Sequence, residues 1–153
     1  MKIELTPTEI RRLIDLVYIA TWIIDAHKIG DDPETAPYRR LEQKLFAIAA
    51  QQGLSDVIEY ADEFDLYFPT RALEESQAHS FIDEYDDDTF WEELMARLAE
   101  RDLINDLGSF QALVDLSPEK RVTLLGRREE YYANEFAEHG LDRLAIAPAA
   151  NEQ

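Results

Sequence analysis

Apolar residues recur along this chain at helical spacing, and the gaps between the runs carry residues that start and stop helices. In the first run Ile10, Leu13, Ile14, Val17, Ala20 and Ile24 line one face, while Leu16, Ile19 and Ile23 add a second stripe. A helix that is apolar on two sides needs cover on two sides, which places it at the centre of a bundle or in a dimer interface. Its start is written in Thr6-Pro7-Thr8-Glu9. The Thr6 oxygen can accept an orphan amide, Glu9 can reach back, and proline suits the first helical position. The helix is expected to run to about Lys28, where Gly30-Asp31-Asp32-Pro33 stops it.

A second helix is expected from Ala36-Pro37 to Gly53, burying Leu41, Leu45, Phe46, Ile48 and Ala49. Gly53-Leu54 reads as a left-handed cap followed by an apolar residue folding back, and Gly140-Leu141 repeats that ending. Residues 55–69 (SDVIEYADEFDLYFP) read as one or two helical turns and an aromatic linker, with a short extended piece as the alternative. A third helix over about 70–85 carries Leu73, Phe81, Ile82 and Tyr85 inward, and a fourth over about 88–107 carries Phe90, Leu94, Leu98 and Leu103. Asp87 is the expected N-cap of the fourth, with Asp88 in its first turn near the positive end of the helix dipole. After a short turn at 109–116, Ser117-Pro118-Glu119 opens a fifth helix to about His139, with Val122, Leu125, Tyr132 and Phe136 inward. The pattern predicts an all-α fold: one bundle of about five helices with short connections over 1–144, and a disordered tail over 145–153.

Charge changes this picture more than composition does. Thirty-three Asp and Glu stand against fifteen Lys and Arg, a formal net charge of −18, and from Leu45 to Ala96 the only Lys or Arg is Arg71. Binding to nucleic-acid phosphates or anionic membrane rests on clustered Lys and Arg, so neither is expected. A basic protein or a cation would be drawn to such a surface, which also promotes solubility. The apolar run from Leu13 to Ile24 is too short to span a bilayer, and acids at Glu4, Glu9 and Asp15 spoil its likeness to a signal peptide. A cytoplasmic protein is expected. There is no Cys, which removes disulfides, thiolate nucleophiles and cysteine-held metal sites.

Candidate chemistry is sparse. No Gly-x-Ser-x-Gly, phosphate loop or Glu-x-x-His pair occurs. One metal-like spacing is present: Glu75, His79 and Asp83 at i, i+4, i+8 along one helix face, with ligand types that suit a divalent metal. His27 and His139 read as cations near helix C-termini. A ladder of Glu93, Arg97 and Arg101 is expected on the exposed side of the fourth helix. Helix starts account for Asp87, Asp88 and Glu93 but leave Glu74, Glu75, Asp83, Glu84, Asp86 and Glu92 unexplained.

Those acids lie near aromatic residues, among them Trp91, Tyr85, Tyr60, Tyr67 and Phe68. Acids around aromatic anchors are what a surface for a basic partner presents, because the anchors supply buried area and the acids steer encounter. The acidic, helical composition resembles that of immunity proteins and nucleic-acid mimics; no motif carries the resemblance and no residue role comes with it. The resulting expectation is a non-enzymatic protein whose acidic region over 56–93 binds a basic protein, as inhibitor, immunity factor, regulatory adaptor or mimic. Glu74, Glu75, Asp83, Glu84, Asp86, Glu92 and Trp91 are its candidate contacts. Two other readings stand beside it: a metal-dependent helical enzyme using Glu75, His79 and Asp83, and a subunit that dimerises through its first helix.

Overall fold

The structure is a computed structural model, and it describes residues 3–28, 30 and 32–145. The protein is all-α apart from one two-stranded hairpin. In chain order the elements are α1 (Pro7–Asp25), α2 (Ala36–Gln51), β1 (Ile58–Ala61), β2 (Leu66–Pro69), α3 (Arg71–Glu74), α4 (Gln77–Leu107), α5 (Phe110–Val114) and α6 (Pro118–His139). The chain divides into two compact units, the first ending at Asp86 and the second starting at Asp87, and α4 contributes residues to both. Apart from Ala145, the expected tail lies outside the described residues.

Local signals set the helix ends where they were read. At α1 the Thr6 side chain takes the Glu9 amide at 3.3 Å, while the Glu9 carboxylate takes the Thr6 amide at 2.8 Å. Ser117 caps α6 through the Lys120 amide. Gly53, at φ 86°, lets the Leu54 amide reach back to Ala49 O and its own to Ala50 O, the six-to-one and five-to-two pair that ends a helix with a glycine. Gly140-Leu141 differs from that expectation. A single bond runs from Gly140 to Phe136 O, ψ is −134°, and Leu141 is exposed.

The first unit closes on Ile14 and Tyr18 of α1, Phe46 and Ala49 of α2, Val57, Ile58, Leu73, and Ala78 and Ile82 of α4. Phe46 is 1% exposed. The second stripe of α1 is not covered in the chain: Ile19 is partly buried, but Leu16 and Ile23 stay exposed. In the second unit Leu98, Ala99 and Leu103 of α4 and Leu113 of α5 are buried. The Tyr132 hydroxyl donates to the Asp102 carboxylate, and Arg128 pairs with Asp106, which ties α6 to α4.

Three expectations are corrected. Residues 55–69 do not form helical turns; they form an antiparallel hairpin pairing Ile58 with Pro69, Glu59 with Phe68, Tyr60 with Tyr67 and Ala61 with Leu66. Its turn uses Asp65 at φ 56°, a conformation Asp tolerates and one that spares the loop a glycine, so the usual hairpin signal is missing. The third and fourth helices are not separate. A four-residue α3 is followed by one continuous α4, so Asp87 is an interior residue and not a cap. No Gly or Pro interrupts 77–107, and the cap sits upstream, where the Ser76 hydroxyl accepts the Ala78 amide at 3.2 Å. Third, Leu41, Ile48, Phe81, Tyr85, Phe90 and Val122 were expected inward and are exposed. Each helix buries one narrow stripe, because few neighbours pack around it within a unit.

The continuity of α4 gives a sharp expectation. Proline in a first turn is tolerated, whereas in a helix interior it costs about 3 kcal/mol or more. Asp88→Pro is therefore expected to lower stability by about that amount in urea unfolding. A near-neutral effect would restore a helix start at Asp87.

Candidate functional site

The acids singled out in the sequence all come to the surface, but not as one cluster. Glu74 ends α3, and Glu75 is engaged by Arg71, whose Nε donates to its Oε1 at 2.7 Å. Asp83, Glu84 and Asp86 lie exposed on the part of α4 in the first unit. Glu92 and Trp91 belong to the second unit, where Trp91 is half-buried, 5.0 Å from the Phe90 ring and 5.5 Å from the Phe136 ring. Trp91 is thus part of the α4–α6 packing. Of the expected ladder, Arg97 pairs with Glu93 at 2.9 Å, and Arg101 turns instead to Asp102.

The metal-like set is pulled apart. His79 is held by buried Tyr18, whose hydroxyl lies 2.8 Å from Nδ1, and the Trp22 ring stands edge-on at 5.0 Å. Its Nε2 is 3.6 Å from Asp83, but Glu75 faces Arg71. Among the described residues no group of three or more His, Asp or Glu side chains is arranged to hold a metal ion. Burial, with Glu74 and Asp83 nearby, pushes the Tyr18 phenol above its ordinary range, so it keeps its proton and can donate to the imidazole.

Beside Tyr18 lies a cleft of about 190 Å³ lined by Trp22, Asp25, Glu42, Pro69 and Glu74 among others. Asp25 is satisfied by Arg39, whose Nε donates at 2.8 Å. Glu42 takes a 2.6 Å hydrogen bond from the Thr21 hydroxyl, yet burial is the larger influence and raises its pKa. Nothing in the sequence distinguishes Glu42 from other helix-surface acids, because its desolvation comes from α1 packing beside it.

The hairpin has two unlike faces. Strand alternation puts Ile58, Tyr60, Tyr67 and Pro69 on one and Glu59, Ala61, Leu66 and Phe68 on the other. Ile58 is buried in the core; Leu66, Phe68 and the turn residue Phe64 are exposed. Phe64 and Phe68 meet edge-to-face at 5.9 Å and 71°. The Tyr60 hydroxyl donates to the Asp65 carboxylate, and this bond pushes the phenol up to about 12. The side-chain amide of Gln43 on α2 clasps β2, donating to Tyr67 O at 2.9 Å and accepting from Tyr67 N at 2.7 Å. Phe68 was among the aromatics read from the sequence; Phe64 and Leu66 were not, because only the pairing register shows which side faces out.

Chemically, this surface offers carboxylates and aromatic rings to a cation. No helix among the described residues is long and apolar enough to cross a membrane. No protein-family model, curated protein or solved structure matches the chain.

The desolvated Glu42 carboxylate sets a pH dependence. Its folded pKa lies above the unfolded one, so the folded state binds the proton more tightly and stability from this group falls as pH rises through that window. Glu42→Gln keeps the acceptor for Thr21 and is expected to raise the melting temperature at neutral pH. That gain should vanish below the carboxylate range. Melting curves against pH check this, and an equal gain at all pH values would count against it.

Proposed function

We propose that this chain is a non-enzymatic interaction protein whose acidic surface holds a basic protein partner. One observation carries the reading: Glu59, Asp62, Glu63, Asp65, Glu74, Glu84 and Asp86 are all exposed in the first unit, and none has a salt bridge among the described residues. The Arg71 within that stretch is already taken by Glu75. A surface of one sign repels itself, and a basic surface laid on it relieves the repulsion and is steered to it from a distance. Inhibitor, immunity factor, adaptor and nucleic-acid mimic are roles of this one type.

Such a complex is expected to form at about 0.05 M salt and to be lost by about 0.5 M, where screening acts within a few ångströms. Crosslinking in the producing cells, followed by titration of the purified pair with salt, measures it. Binding that does not change over that range sinks the reading.

A second reading, a dimer through α1, has the exposed Leu16 and Ile23 behind it, one face of the helix two turns apart. Light scattering is expected to show a mass that rises with concentration and falls for Leu16→Glu. A monomer at every concentration removes it.

A further inference from the structure

We propose that the outer face of the hairpin, with Phe64, Leu66 and Phe68 at its centre, is the docking surface for the basic partner. This deepens the function proposed above and rests on it. An antiparallel hairpin packed on one side ordinarily turns polar residues to water on the other. Here the rule is broken at adjacent positions: Phe64 is 60% exposed, Leu66 41% and Phe68 38%. Ala61 lies opposite Leu66 and Glu59 opposite Phe68, so the apolar side chains form one patch. Exposed apolar patches of this kind mark interaction sites.

The rim decides what the patch takes. Glu59, Asp62, Glu63 and Asp65 surround it, and no Lys or Arg occurs between Lys44 and Arg71. An apolar centre with an acidic rim fits a partner surface that mixes apolar side chains with Lys or Arg. A second copy of this chain would bring the same four acids against themselves, in a molecule of net charge −18. An anionic lipid surface meets the same repulsion. The patch is also held ready. Ile58 is anchored in the core, Gln43 clasps Tyr67, and Thr70 bonds back to Val57 O at 2.9 Å and Asp56 O at 2.7 Å. Little ordering is left for binding to cost.

The test uses the full chain and two synthetic peptides of about a dozen residues and equal charge, one alternating Lys with Leu, the other Lys with Ser. The Lys-Leu peptide is expected to bind at least about tenfold more tightly, with backbone NMR shifts concentrated on 59–68. Phe64→Ser with Phe68→Ser is expected to abolish that difference while leaving Lys-Ser binding and the melting temperature unchanged, since both rings face out. Equal affinity for the two peptides, shifts centred elsewhere, or a difference that survives the double variant overturns the assignment. So does concentration-dependent self-association, or binding to anionic vesicles, that the double variant abolishes. If a salt-sensitive basic partner binds the double variant as well as the parent, the hairpin assignment falls and the broader function stands.

Discussion

The packing of α1 against α2 around Phe46 is the contact on which the first unit depends. Ala49, fully buried one turn beyond Phe46 on the same helix, is small enough to let other elements approach closely, and Leu45 packs against the same cluster from its edge. Around this seam the other elements find their places: Val57 and Ile58 seat the hairpin, Leu73 seats α3, and Ala78 and Ile82 seat the start of α4. Because Ile58 points inward, strand alternation sends Glu59 and its opposite neighbour Phe68 outward. The exposed aromatic patch is therefore a consequence of what the core requires one residue earlier.

Electrostatics runs against this packing. Of the acids in the first unit, several are answered: Asp56 by Arg11, Asp25 by Arg39, Glu75 by Arg71. These pairs are exposed or partly so and contribute little each. The rest of the negative charge stays in water, where it holds copies of the molecule apart and opposes compaction. Glu42 is a separate case, a carboxylate partly withdrawn from solvent and held by a hydroxyl.

Much of the helical content was legible, because helix ends are decided locally. Thr6 with Glu9, Ser117 with Pro118, and Gly53 with Leu54 each act within a few residues, and each is found as read. The start of α4 was misplaced for a related reason. Asp87 has the chemistry of a cap, but so does Ser76, and nothing near Asp87 breaks the helix. The hairpin was hidden more deeply. Its turn residue is Asp65 and not glycine, and its strands are four residues each, too short to show alternation against a mixed background. Of the candidate site, the acids were legible and their surroundings were not: the Tyr18–His79 bond joins residues 61 positions apart. Which aromatic faces solvent depends on register, and register is set by contacts distant in sequence.

The clasp of Gln43 on Tyr67 fixes more than the position of the hairpin. With its amide and carbonyl both given to α2, Tyr67 turns its main chain away from β1, so Tyr60 and Tyr67 face each other without exchanging hydrogen bonds. That arrangement brings their rings to 4.9 Å. A side-chain amide has the same donor and acceptor as a peptide group, and here it stands in for a third strand one residue long. The edge of β2 is thereby closed at its middle against another chain, leaving β1, flanked by Glu59 and Asp62, as the edge at which a strand could add.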